Sequence, residues 1–282
     1  MTMLSINTNV GALTAAQHSY SVNKSMETSM ERLASGKRVN GAADDAAGLA
    51  IANRITSEIQ GLQKSIQNAA DAQAMLGVAE GALEEVNSIL LRMRELAVQG
   101  ATDTLRPQDQ DMLQLEVTAL EAEIQRISDD TMFAGLSLLG GGFASGATFQ
   151  IGPRASDTIQ ISFGAINATT AVNANNAGGL ALAGTVSTQS GSQTYITTIS
   201  NAISVIAEDR ARYGAVMNRL DHAIANMANI ATNLLTAKGR IMDADFAAES
   251  ANLARTQVLQ QASMAMLSQA NASKQNILAL FN

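Results

Sequence analysis

The sequence predicts a mainly α fold, a long antiparallel coiled-coil helical bundle with a small β-hairpin region. Three observations lead there. Apolar residues recur at three- and four-residue spacing over very long stretches, the mark of a packed helical seam. The 282 residues include 50 alanines but only 3% aromatics and no tryptophan, which favours slim, closely spaced helices over a ring-filled core. Strict polar–apolar alternation is confined to one short stretch around Gly152-Pro153-Arg154.

Residues Met1 to Asn23 contain no Asp, Glu, Lys or Arg, yet Met3, Ile6, Val10, Leu13 and Tyr20 fall on one heptad seam. The next helix is expected from Ala43 to Gln99, roughly 85 Å of rod. Asn40-Gly41 marks a turn before it, and Asp44 and Asp45 suit the positive end of its dipole. Its seam runs Ala52, Ile55, Ile59, Leu62, Ile66, Ala69, Gln73, Leu76, slips phase near Ala79, and resumes through Leu83, Val86, Leu90, Met93 and Ala97. Gly100 and Pro107 bracket a gap, and Leu113, Val117, Leu120, Ile124 and Ile127 form a shorter helix folding back as a hairpin.

From Thr131 to about Thr194 the texture changes. Phe149 and Ile151, then Ile159, Ile161 and Phe163, read as a β-hairpin with one buried face. Gly164 to Gln193 is rich in Asn, Ala, Gly, Ser and Thr and reads as surface loops with room for a second short hairpin, so the middle of the chain is expected on the outside of the fold. The most regular seam follows: Ile196, Ile199, Ile203, Ile206, Arg210, Tyr213, Met217, Leu220, Ile224, Met227, Ala231 and Leu234, broken by Arg210 alone.

At the carboxyl end no acid follows Glu249, and only Arg255 and Lys274 are charged. Leu253, Met264, Leu267, Leu278 and Phe281 share a seam there with Gln and Asn. Ordering 23 residues costs about 1 to 2 kcal/mol each, while five or six buried apolar side chains return only ~1.5 to 3 kcal/mol each. Neither terminal helix is expected to be stable alone. Their missing charge removes repulsion between identical copies, which is what a self-assembling subunit needs.

A net charge of −7 without a basic stripe argues against a nucleic-acid partner. The absence of cysteine removes thiolate chemistry and Cys-ligated zinc. No apolar run approaches the ~18 to 20 residues of a membrane span, and the amino terminus lacks the basic start of a secretory signal. His18 and His222 lie far apart without an H-E-x-x-H pattern, Asp44 and Asp45 point to different helix faces, and Gly140-Gly141-Gly142 lacks the Lys-Ser/Thr of a phosphate loop. Met26, Met30, Met264 and Met266 read as adaptable packing, and Arg92, Arg94 and Glu95, on the residues alone, as a solvated face. No catalytic, cofactor-binding or metal-binding residue is expected.

Both ends carry motifs that resemble bacterial flagellin. Leu4–Asn9 (LSINTN), Leu33–Asn40 (LASGKRVN) and Ala43–Arg54 (ADDAAGLAIANR) resemble its amino-terminal signature in order and spacing. Ile241–Phe246 (IMDADF), Leu259–Ala262 (LQQA), Gln269–Asn271 (QAN) and Gln275-Asn276 resemble its carboxyl-terminal partner. The resemblance implies a subunit of the extracellular flagellar filament that polymerises with itself and uses no cofactor. Residues 1–42 and 240–282 would form terminal helices lining an inner coiled-coil tube, 43–130 and 194–239 a helical rod, and 131–193 its β-hairpin and exposed loops. It also implies type III export, which would explain the missing signal peptide, and partnership with an export chaperone and with hook-junction and cap proteins. Leu91–Gln99 (LRMRELAVQ) resembles the flagellin segment read by the flagellin-sensing Toll-like receptor of animals, which would place Arg92, Leu96 and Glu116 on one surface shared by that receptor and by neighbouring subunits.

The alternative within this resemblance is a flagellin-like hook–filament junction protein, usually more divergent in the Asp-Asp-Ala-Ala-Gly and carboxyl-terminal motifs. A membrane-inserting translocator would carry Lys/Arg-rich polar faces and interfacial Trp, which these seams lack. A flagellin with a protease insert would need the absent H-E-x-x-H.

Overall fold

A computed structural model describes residues 8–143, 146–166 and 179–279, with side chains as far as Ser273. The order is α1 (Val10–Ser35), α2 (Ala46–Gly100), α3 (Pro107–Asp130), β1 (Met132–Phe133), β2 (Leu136–Ser137), β3 (Ala147–Gln150), β4 (Thr158–Ile161), α4 (Gln189–Met242) and α5 (Phe246–Ala279). The chain divides into two compact units, Met1–Ile59 with Thr232–Asn282, and Gln60–Ala231.

In the second unit α2 and α4 run in opposite directions. Gln73 Nε2 donates to Asp221 Oδ1 at 2.6 Å, and one turn pair further on Arg210 donates to Glu80 Oε1 at 2.8 and 3.2 Å. The two polar interruptions of the apolar seams, Gln73 and Arg210, therefore each meet a partner across the helix pair. Around them Leu62, Ala69, Leu76, Leu83, Val86 and Leu90 of α2 and Ile199, Ile206, Tyr213 and Leu220 of α4 are buried. The phase slip near Ala79 leaves the helix unbroken, because Met75, Leu76 and Ala79 all turn inward there. α3 starts on Pro107, where a missing N–H costs nothing, and Gln110 Nε2 donates 3.1 Å to the last carbonyl of α2, at Gly100.

The expected hairpin is present, with Phe149 opposite Ile159 and Ala147 opposite Ile161. Among the described residues of 164–193 there is no strand, and a second hairpin, β1–β2, lies before the first. Its two-residue loop, Ala134 at φ 51° and Gly135 at φ 82°, uses left-handed residues at both positions. Asn-Gly would have announced that turn; Ala-Gly does not.

The middle of the chain is not simply an outer surface. Leu138, Leu139, Phe163, Ile166, Leu180, Leu182 and Val186 are buried, and Phe163 packs its ring 5.5 Å from that of Tyr213. Ile166 N–H donates to Leu139 O at 2.8 Å, and Val186 N–H to Gln114 Oε1 at 2.7 Å. These anchors stand in ones and twos among small residues, too sparsely for a periodicity to reveal them. Residues 167–178, within the expected surface loops, lie outside the described residues. α4 begins at Gln189, earlier than the apolar rhythm, because the Thr188 hydroxyl accepts the Gly191 N–H at 3.1 Å.

In the first unit, the start of α2 divides the work of two carboxylates. Asp45 accepts the Gly48 N–H at 2.8 Å and caps the helix. Asp44, expected to serve the helix dipole, instead accepts the Asn40 and Gly41 N–H groups at 3.0 Å each and closes the preceding turn. Those two bonds hold its carboxyl below the usual aspartate range. Val39, Ala52 and Met242 form a small core with Leu49 and Ile241, and the 36–38 segment pairs with residues 241–244 through Arg38 N–H to Met242 O (2.6 Å) and Ala244 N–H to Gly36 O (3.0 Å).

Candidate functional site

The charge-poor ends fold together as an antiparallel pair. Asn9 caps α1 by accepting the Ala12 N–H at 3.0 Å, and its amide nitrogen reaches Ala270 O at 3.3 Å. Further along, Gln260 Nε2 donates to Asn23 Oδ1 at 2.7 Å, and Arg32 faces Glu249. The partners descend along α5 as they ascend along α1. Small residues set the spacing, for a Cβ added at Gly11 would touch Ala270.

This pairing leaves four of the described seam residues exposed. Val10 is 63% exposed, Leu13 69% and Tyr20 75%; Met264 is exposed, and Leu253 and Leu267 are half-buried. Met3, Ile6 and Phe281, and the side chain of Leu278, lie outside the described residues. Phe246 and Val258, which the expected seam did not include, are also exposed, as is Met266, read from the sequence as adaptable packing. The signal for Phe246 and Val258 was a surplus of apolar residues on a helix with few charges to oppose them. An apolar groove of about 350 Å³ lined by Ala15, His18, Leu259, Ala262 and Met266 runs along the pair. Exposed apolar side chains in this number mark a surface that meets another.

A second surface lies on α2 and α3. The Arg92 guanidinium donates from Nε to Glu116 Oε1 at 2.9 Å and from Nη1 to Glu95 Oε2 at 3.1 Å, and these carboxylates raise its pKa further above the ordinary arginine value. Leu91, Val98, Met112 and Leu115 are exposed around it, and Leu91, Arg94, Glu95, Val98 and Gln99 line an open depression of about 560 Å³. Leu96 does not join Arg92 and Glu116 on this surface. It is 1% exposed, because it falls on the inward stripe with Met93, Ala97 and Gly100. His18 and His222 are both exposed, and no group of three or more His, Cys, Asp or Glu side chains is gathered for a metal among the described residues. No described helix is long and apolar enough to cross a membrane.

Residues 6–144 match the family model of the bacterial flagellin N-terminal helical region, and residues 196–281 that of the bacterial flagellin C-terminal helical region. The chain is 38% identical over 278 residues to a flagellin of Halalkalibacterium halodurans, covering 98% of both chains. It is 36% identical over 300 residues to a flagellin of Bacillus subtilis, covering 98% of this chain and 99% of the relative. Among solved structures, a flagellar hook-associated protein from Vibrio parahaemolyticus covers 71% of this chain and all of its own at a TM-score of 0.60; at 15% identity this likeness is one of fold alone.

Proposed function

Since the chain belongs to the bacterial flagellin family and is a structural subunit of the flagellar filament, we propose that its outward apolar faces on α1 and α5 are the surfaces that join copy to copy. The observation that carries this reading is the exposure of Val10, Leu13 and Tyr20 on a helix pair whose two strands of contact are already satisfied by small and polar residues. Burying three such side chains in a neighbour is worth ~1.5 to 3 kcal/mol each, and a helical polymer repeats the gain at every subunit. In this reading residues 1–42 and 240–282 form an inner tube, residues 43–130 and 194–239 the surrounding rod, and residues 131–193 the hairpin and loops upon it.

The Arg92–Glu116 surface, with Leu91, Val98, Met112 and Leu115 beside it, serves as a lateral contact between rods and is the part of the monomer an animal flagellin-sensing Toll-like receptor would meet. The role of the protein is structural, its place is the extracellular filament, and its passing partners are an export chaperone and the hook-junction and cap proteins. The junction-protein alternative has no support, since relatives matched over nearly their whole length are flagellins.

Electron microscopy of the purified full chain under polymerising conditions tests the reading: helical filaments are expected, and material that stays monomeric or forms only amorphous aggregate overturns it. Copy number in sheared native filaments checks the choice between main subunit and junction protein.

A further inference from the structure

Between α1 and α5 a polar cleft of about 300 Å³ opens among Ser25, Ser29, Arg32, Glu249, Arg255 and Thr256. Its charged groups are only half satisfied. Arg32 Nε is buried and has no hydrogen-bond partner among the described residues. The same guanidinium stands 3.9 Å from Glu249 Oε2, beyond hydrogen-bond reach, although the Glu249 side chain is only 11% exposed. The Thr28 and Thr256 hydroxyls donate back to their own helices, to Lys24 O and Asn252 O at 3.0 Å each, and so offer the cleft acceptors rather than donors.

The cleft therefore presents a buried donor and a nearly buried acceptor side by side. A free anion would gain from Arg32 and Arg255 but meet Glu249, and a free cation would meet the reverse. A neutral group with both a carbonyl and an N–H₂ satisfies both at no cost in charge, and among side chains that is a carboxamide. The chain carries exposed carboxamides on the same two helices, Gln17, Gln257, Gln261 and Gln269. Other amides there are already engaged, Gln260 with Asn23 and Asn9 with Ala270.

We propose that the Arg32–Glu249 cleft receives a glutamine carboxamide from a second copy of the chain, a polar key that fixes the register in which neighbouring subunits meet. The inference rests on the reading that α1 and α5 join copies. Seams of Leu, Met and Ala slip easily past one another, and a single buried polar partner is the best-attested device for choosing one register.

The test uses the full-length chain. Arg32→Lys keeps the charge but loses the Nε–H, and it is expected to raise the critical concentration for polymerisation tenfold or more with monomer unfolding unchanged. Alanine at one of the four glutamines should raise it similarly, and the two changes together should add little beyond either one. Because the chain has no cysteine, Thr28→Cys carries a single benzophenone label. In filaments mixed from isotope-labelled and unlabelled copies, photoproducts should join that position to a peptide of another copy containing one of these glutamines. Wild-type assembly by Arg32→Lys overturns the proposal, as do photoproducts confined to one copy or leading to other peptides. If inorganic phosphate drives assembly through Arg32 without such photoproducts, the cleft is an anion site and the proposal fails. A wild-type chain that forms no filament overturns the assembly reading, and this inference with it.

Discussion

The Arg210 guanidinium of α4 lies 2.8 Å from the Glu80 carboxylate of α2, at the one position where the most regular apolar seam of the chain is interrupted. Both side chains are about one-third exposed, so solvent screens the pair and its contribution is modest. A double-mutant cycle with Glu80→Ala and Arg210→Ala should give a coupling energy of about 0.5 to 1 kcal/mol in urea unfolding. The coupling should shrink in 1 M salt, on the order of a 3 Å screening length. A coupling that stays the same in salt would show that the pair acts by packing instead.

Arg92 and Leu96, one helical turn apart, should respond in opposite ways. Leu96→Ala empties a buried site and should cost about 2 to 5 kcal/mol of monomer stability. Arg92→Ala should leave unfolding nearly unchanged, and weaken filament assembly and receptor signalling by monomer together. Urea unfolding beside motility and reporter-cell assays separates the two. Equal stability of both variants would contradict the burial of Leu96.

Deletion of Met1–Asn23 or of Leu253–Asn282 removes much of one member of the terminal helix pair. The truncated chains are expected to remain soluble and helical by circular dichroism but to sediment as monomers. Filaments of normal length from either truncation would place the joining surface elsewhere.

Glu121 accepts the Tyr195 O–H at 2.6 Å. Burial raises its pKa above the usual glutamate range, and the tyrosine bond only partly opposes that. A carboxyl raised in the folded state binds more protons folded than unfolded, so its contribution favours folding at low pH and is lost as pH rises through and above the ordinary glutamate range. Glu121→Gln keeps an acceptor for Tyr195 without a charge. Relative to wild type, this variant should gain stability as pH rises above the ordinary glutamate range, measured by unfolding at each pH. A difference that stays constant with pH would refute the burial effect.

Gly48 offers a sharper local test. Alanine is ordinarily better than glycine in a helix by about 1 kcal/mol, yet a Cβ at Gly48 would overlap the Asp45 carboxylate that caps it. Gly48→Ala should therefore destabilise the protein, and become neutral or stabilising in an Asp45→Ala background, where the cap is already gone. The same sign in both backgrounds would show that the clash is relieved some other way.

The long elements were legible because one chemical pattern repeats along each of them. Leu62 to Leu90 and Ile199 to Leu220 announce their burial by spacing alone, and Phe149 opposite Ile159 follows from alternation. The helix pair Val10–Ser35 and Phe246–Ala279 was legible as two weak seams, but not which face each would show. Its contacts run through Gly11, Asn9, Asn23 and Gln260, residues that periodicity treats as background. Leu96 was misplaced because a resemblance in sequence carries residue identity but not the few tens of degrees of helix rotation that separate an inward stripe from Arg92. Leu139, Ile166 and Val186 were hidden for a different reason: a loop anchored by single apolar residues leaves no period to detect.

The amide of Asn9 finds its carbonyl at Ala270, 261 residues later in the chain. On a ribosome adding ~5 to 20 residues per second, α1 emerges roughly ten to fifty seconds before its partner exists. Contacts this remote in sequence also close slowly, because the intervening chain must be brought together first. The first helix to be made is thus among the last to be fixed, and through that interval the side chains of Asn9 and Asn23 have no α5 to bond.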